Sequence, residues 1–457
     1  MKNYIKKITA FITAIVIVSS TLLTGCSMTD PHAGAVLKEY ETAENNKPVI
    51  TENVEIGVFD SGDMIYQDGT LLKTVDGETV YLRGVNLGGY FLTEYWMSKI
   101  FEKAAKEDGT GVTDCYKRLN EALLERFGKE KTVAFWEEYR QNFFNETDFE
   151  LLRDMGVNCI RLPITYMQVD FDALYGYNLA AYEYDFSAVD AFIEKAASYG
   201  IYTILDLHGA YGSQNGADHS GEIKVPTDYY SNEEMKQLTV DLWRAMAEHY
   251  KDNPAIAAYD ILNEPGEHKT GGGTQSTTTR HWDLMDRLYD AIREVDTNHV
   301  VIFESCWEAG NLPHPSQYGW KNCMYSFHHY TGGGSGHNKS FQNKIDSVNA
   351  ANFGIPLHMG EFTCYDDPGA WEYSLNALNE AGWHWHNWTY KVNCGSSTNS
   401  AWGYISVTAK SNQINVYTDS YEDMLEAVKQ VRTDNLAHKT DFSDGQILVD
   451  IVAKYLK

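Results

Sequence analysis

With 457 residues, 43% of them hydrophobic, the chain is long enough for one large domain or two ordinary ones with a substantial core. A formal charge of −27 argues strongly against nucleic acid as a partner, because phosphate binding needs a basic surface, and it disfavours electrostatic docking to anionic lipid. The 31 tyrosines and 11 tryptophans carry flat apolar faces with a polar edge, which suits an aromatic core or the walls of a site for polar ligands such as sugars.

Taken from the start, Lys2, Lys6 and Lys7 precede an apolar run from Ile8 to Leu23, too short and wrongly flanked for a stable membrane span. The run closes on Leu23-Thr24-Gly25-Cys26, which resembles the bacterial lipoprotein signal. That resemblance implies cleavage before Cys26, lipidation of its thiol, and an extracytoplasmic protein anchored to a bacterial membrane through Cys26. An ordinary secretory signal with a chance cysteine is the plainer alternative. Residues 1–25 are thus read as a signal peptide, 26–50 as a polar tether without periodicity, and 51–457 as one catalytic domain. The remaining cysteines, Cys115, Cys159, Cys306, Cys323, Cys364 and Cys394, show no CxxC pattern. Their pairing is left open, although Cys159, inside an apolar strand, reads as a buried free thiol.

Asp68-Gly69 and Asp76-Gly77 are turn signals between β-formers and predict an N-terminal hairpin over 64–85. From there, eight apolar strand candidates follow, at 80–89, 157–164, 202–208, 256–265, 299–305, 324–330, 355–362 and 383–390. Helical patterns separate most of them. In one, Val189, Phe192, Ile193, Ala196 and Ala197 recur at helical spacing, and Gly200 stops the helix. Another begins near 233, capped by Asn232 or Ser231. Eight strand–helix units predict an α/β fold, a (β/α)₈ TIM barrel, with a helical insertion at 101–146 after the first strand. No Gly-x-Gly-x-x-Gly turn follows an early strand, which removes the usual dinucleotide signal, and no cofactor is expected.

In such a barrel the C-terminal strand ends face one cleft. Those ends carry Arg161, His208, Asn263, Glu264, His328, Tyr330, Glu361 and Trp388, nearly all of them polar residues directly after an apolar run. One polar strand end means little, since strands end at water. The convergence of so many is more informative. Glu264 and Glu361 form the pair of carboxylates that acetal hydrolysis needs, one protonated for the leaving oxygen and one charged. Asn263 is placed to donate to a sugar hydroxyl, Arg161 and Tyr330 to keep one carboxylate ionised, and Trp388 to face a pyranose ring.

Taken in order, "RLP" with Arg161, "DLH" with His208, "LNEP" with Asn263 and Glu264, "HHY" with His328 and Tyr330, "GEF" with Glu361 and "NWTYK" with Trp388 resemble glycoside hydrolase family 5. The resemblance runs from about residue 64 to about 430. It implies a retaining β-glycosidase with Glu264 as acid/base and Glu361 as nucleophile. "LHGAYGSQNGADHSG" and "RGVNLGGYFLTEYW" look most like the family's exo-β-1,3-glucanase branch. That likeness implies Glu94 and Asp218 as acceptors for sugar hydroxyls, with Gln214 and Asn215 lining the same loop. The chain departs from the branch at Tyr95 and Tyr211, where proline is usual, at Ala217, where an aromatic is usual, and at Gly266, where a Leu-Gly pair is usual. These departures bear on linkage and exo action. The expected partner is a β-glucan poly- or oligosaccharide met by a monomer.

Three other readings compete. An endo-β-1,4-glucanase of the same family would share every motif. A metal hydrolase could use the histidines at 208, 328, 329, 384 and 386, but His329 should point away from the cleft if His328 points in. A non-catalytic carbohydrate-binding lipoprotein would be favoured by loss of either glutamate, and both are present. The glycine-rich loop at 266–280 could gate the cleft, but idle surface is the plainer reading.

Overall fold

The computed structural model describes residues 46–94, 97, 101, 115–175, 183–224, 227–266, 279–305, 307–331, 334–393, 402–407, 414–433, 437–442 and 444–456. The segments read as signal and tether, Cys26 included, lie outside these residues except for 46–50, as do Tyr95, Cys306, Cys394 and loop residues 267–278. Among the described residues no helix is long and apolar enough to cross a membrane.

Eight parallel strands close into a barrel in chain order: β1 (Arg83–Asn86), β2 (Cys159–Thr165), β3 (Tyr202–Gly209), β4 (Ile256–Asp260), β5 (Val300–Glu304), β6 (Cys323–Tyr330), β7 (Leu357–Thr363) and β8 (His384–Asn387). Each falls on a predicted strand. Parallel strands buried on both faces read as near-continuous apolar runs, and β2 to β5 are buried at every position. The first, fourth and eighth strands are shorter than their apolar runs, because the chain leaves the ladder to build the cleft.

The helix Ser187–Ser198 buries Val189, Phe192, Ile193, Ala196 and Ala197, the five positions its periodicity marks. The helix Glu233–Tyr250 takes Asn232 as its cap; the Asn232 side chain accepts the N–H groups of Glu234 and Met235. Ser231 instead turns its hydroxyl to the Asp228 carbonyl.

Below the barrel, the expected hairpin is a three-stranded antiparallel sheet of Ile65–Asp68, Leu71–Thr74 and Thr79–Val80. Gln67 fastens it to the start of β6: its N–H donates to Asn322 Oδ1 at 2.8 Å and its Oε1 accepts the Cys323 N–H at 2.9 Å. The insertion after β1 contains the long helix Tyr116–Phe143, broken at Gly128, whose φ of 78° lies in the left-handed region that glycine enters without Cβ cost. Its Leu119, Leu123, Phe135, Trp136 and Tyr139 are buried. A second helix, Glu146–Met155, then leads into β2. Cys115, Cys159, Cys323 and Cys364 are buried free thiols.

Candidate active site

Arg161 of β2 is fully buried in the barrel's upper interior. Its guanidinium meets four carboxylates: Asp206 at 3.1 Å, Asp260 at 2.8 Å, Glu304 at 2.7 Å and Glu361 at 3.0 Å. It also donates to Asn86 Oδ1 and Asn263 Oδ1. Planar multi-donor geometry is what lets one cation serve so many acceptors. Burial works to raise Glu304, but the charges of His328 and Arg161 outweigh it and hold that carboxyl at about 2. Burial and the neighbouring Glu304 charge instead push Asp260 well above the usual carboxylate range, favouring a proton there.

Glu361 sits on this cluster. Its Oε1 accepts from Arg161, and its Oε2 accepts the Tyr330 hydroxyl at 2.6 Å. A local irregularity aims it. Phe327 pairs with Met359 and His328 with Glu361, so Gly360 is an extra residue in β7. His358 points inward, toward Ser326 and His386, while Phe362 packs outward against Phe341 and Trp371. Strict alternation from His358 would send Glu361 outward, and the bulge turns it into the cleft. A Cβ on Gly360 would lie 2.3 Å from Ser326 Oγ, so the approach requires glycine.

Glu264 stands past the end of β4, with φ +43°. Its N–H donates to Glu304 Oε2 at 2.7 Å, which secures this left-handed turn. His328 lies between the two glutamates, its Nδ1 2.8 Å from Glu264 Oε1 and 3.4 Å from Glu361 Oε2. Oxygens of Glu264 and Glu361 come within 4.8 Å of one another. A divalent ion could use such spacing, but one imidazole, hydrogen-bonded to Glu264 and in ion-pair range of Glu361, accounts for the closeness. Two carboxylates held at this distance, one of them bonded to the Arg161 guanidinium, can break an acetal by nucleophile and acid/base.

A cavity of about 380 Å³ opens over the pair, walled by Glu94, His208, His219, Asn263, Glu264, Trp307, Tyr330, Glu361, Trp388 and Trp402. His208 donates its Nδ1–H to Asp206 Oδ2 at 2.7 Å and stacks on Trp388 at 5.2 Å between ring centres. Thus Glu94, His208, Asn263, Tyr330 and Trp388 meet where the sequence places them.

Arg161 is fully buried and holds Glu361 as the sequence predicts, with no surface left to touch sugar. Four other site residues occupy roles different from those expected. His328 is fully buried between the two glutamates and does not touch sugar either. Gln214 braces the loop: its Oε1 accepts the Ala210 N–H, and its Nε2 donates to the carbonyls of His208 and Asn263. Asn215 accepts the Ala217 N–H and turns its amide to His219. Asp218 opens a short turn, Asp218–Ser220, and it is His219 beside it that reaches the cavity wall. Tyr211, at one of the unusual positions, is buried, stacks on Tyr166 and donates to Asp170.

Sequence reasoning missed Asp206, Asp260 and Glu304, the carboxylates around Arg161, along with His219, Trp307 and Trp402. The acids do leave a signal, each being a charge inside or closing an apolar strand. Of the five histidines offered for a metal site, His208 and His328 reach the cleft and the other three are placed elsewhere. His329 faces outward to Ser340 at 3.3 Å, as alternation requires. His384 accepts the Leu82 N–H, and His386 pairs with His358, so both are engaged inside the barrel wall. Burial lowers both imidazoles, His384 to about 3, and keeps them neutral.

A beta-xylosidase from Phanerodontia chrysosporium is 32% identical over 266 residues, covering 58% of this chain and 51% of that protein. A probable glucan 1,3-beta-glucosidase A from Aspergillus fumigatus is 31% identical over 254 residues, covering 54% of this chain and 55% of that protein. The chain thus spans about half the length of these curated relatives. A rutinosidase from Aspergillus niger superposes with a TM-score of 0.54 at 16% identity, over 71% of this chain and 95% of that one, which supports the fold. The family model for cellulase (glycosyl hydrolase family 5) matches residues 120–393, the stretch that contains β2 to β8 and both cleft glutamates. By that match, and by a barrel that carries Glu264 just past β4 and Glu361 on β7, the chain belongs to glycosyl hydrolase family 5.

Proposed function

We propose that the protein is a retaining β-glycosidase that hydrolyses β-glucosidic bonds, acting from the end of a β-1,3-glucan or its oligosaccharides. The observation that carries this reading is the approach of Glu264 and Glu361 oxygens to within 4.8 Å. Retaining enzymes hold their carboxyls about 5–5.5 Å apart, whereas inverting ones leave roughly 6.5–9.5 Å for a water. Glu361, its two oxygens held by Arg161 and Tyr330, attacks the anomeric carbon while Glu264 protonates the leaving oxygen. Glu264 then takes the proton of the water that releases the sugar, and Glu361 departs as a carboxylate. Both Arg161 and Tyr330 donate to that departing charge, which makes it a good leaving group.

The size of the cavity favours a chain end. As the described residues draw it, about 380 Å³ lies toward the small side of ligand sites, and Trp388 and Trp402 offer ring faces for a short occupant. The beta-xylosidase and glucan 1,3-beta-glucosidase relatives agree on a β-linked glycan but differ in the sugar. Products from laminarin and from a soluble β-1,4-glucan decide between exo and endo action. Glucose alone from laminarin is the expected outcome, and a ladder of oligosaccharides from the β-1,4 substrate would establish an open endo cleft instead.

The same proposal places the enzyme outside the cytoplasm, held to a membrane by lipid on Cys26, on the strength of Leu23-Thr24-Gly25-Cys26 after a basic and apolar leader. Fractionation of expressing bacteria should find the protein with membranes, and Cys26→Ser should remove it from them. Wild-type protein free in the medium would rule out the anchor.

A further inference from the structure

The loop after β3 brings an imidazole to the acid/base that no motif singled out. His219 Nε2 lies 3.2 Å from Glu264 Oε2 and 2.7 Å from the side-chain amide of Asn215. Other ionisable groups face this imidazole from several elements. His208 of β3 stands edge-on at 6.2 Å between ring centres, and Glu94 from the β1 loop and Asp218 on the same turn act on it by charge. On its other side Glu264 meets His328, which also touches Glu304 and Glu361, and Tyr330 stands bonded to Glu361.

For a general acid this is a paradox, because the carboxyl that must begin protonated lies between two imidazoles. Burial works to raise Glu264, but hydrogen bonds and charge from His219 and His328 outweigh it and hold the carboxyl well below its ordinary range. Burial also opposes a charged His219, yet Glu264, followed by Glu94 and Asp218, pushes that imidazole up to about 9. Groups coupled so closely lose their protons as a pair, not one by one.

We propose that His219 and Glu264 hold the catalytic proton jointly, with Nε2 of His219 as its resting place and Oε2 of Glu264 as its point of delivery. This rests on Glu264 being the acid/base. In the first step the proton passes from Nε2 to Oε2 and on to the leaving oxygen, whose bond to the anomeric carbon breaks as Glu361 forms its own. His219 is left neutral, Glu264 anionic and Glu361 esterified. In the second step water bonds to the anomeric carbon and loses a proton to Oε2, which returns it to Nε2 as Glu361 leaves. Once the proton has left the imidazole, the Asn215 amide beside Nε2 can donate to it, which steadies the neutral His219 and so tilts the proton toward Glu264 during the reaction. His219 is therefore a positioning residue that acts through Glu264.

The test is the pH profile of kcat/KM for wild type, His219→Asn and His219→Gln on two substrates, with melting curves to confirm folding. Phenyl β-glucoside needs a proton on its leaving group; 2,4-dinitrophenyl β-glucoside does not. With a shared proton, the alkaline limb on the phenyl substrate reports loss of the pair's last proton. Removing His219 should move that limb about one pH unit or more toward acid and leave the dinitrophenyl profile in place. An unmoved limb with altered rates would make His219 a brace only. A limb moved toward alkali would make it a fixed charge. Either result overturns the proposal. Absence of wild-type turnover on both substrates would overturn the glycosidase reading itself, a distinct failure.

Discussion

Glu361→Gln should remove turnover and spare sugar binding. Glutamine keeps the size of the side chain and one oxygen for Tyr330 or Arg161, so the cavity wall and its aromatic faces remain. It cannot supply the anionic lone pair that forms the glycosyl bond. Loss of a nucleophile from a working constellation lowers kcat by roughly 10⁴-fold or more. The measurement is kcat on the dinitrophenyl substrate, which needs no acid and isolates the attack, beside the Kd of laminaribiose by calorimetry. A variant that retains more than about a tenth of wild-type turnover would move the nucleophile elsewhere. Wild type and variant binding alike with no turnover in either would describe a carbohydrate-binding protein.

Arg161→Met should cost more in folding than any other single change at the site. Methionine fills part of the volume but leaves Asp206, Asp260, Glu304 and Glu361 without the cation they share. Removing one partner of a buried ion pair costs about 3–5 kcal/mol, because the charge that remains has neither water nor counter-ion. For a domain of this size that corresponds to a fall in Tm of roughly 3–6 °C. Thermal unfolding followed by circular dichroism reads it directly. A change of only a degree or two would mean that Asp260 and its neighbours take up protons at little expense, and that the cluster is less strongly ionised than its geometry indicates.

All eight barrel strands were legible because burial on both faces leaves an apolar run that ends where the cleft begins. Helices such as Ser187–Ser198 were legible for the complementary reason, a single buried stripe. Glu264 and Glu361 were visible as charges placed just beyond such runs. The carboxylates Asp206 and Asp260 were not, since an acid within a strand looks like the strand's end until Arg161 is seen facing it. Gln214 and Asn215 look like ligands in the sequence because amides in a glycine-rich loop look available. Only the folded loop shows the Gln214 amide occupied by three backbone groups. His219 and Trp402 lay beyond reach because each comes to the cleft on irregular chain, where side-chain direction has no period.

The extra residue at Gly360 makes the aim of the nucleophile a question of parity. On a strand there are only two directions, and a single residue more or less exchanges them. The chemistry therefore has no intermediate settings: the carboxylate faces sugar or it faces the helices around the barrel. Substitution in the loops can reshape specificity by degrees, but length changes within Leu357–Glu361 act as a switch.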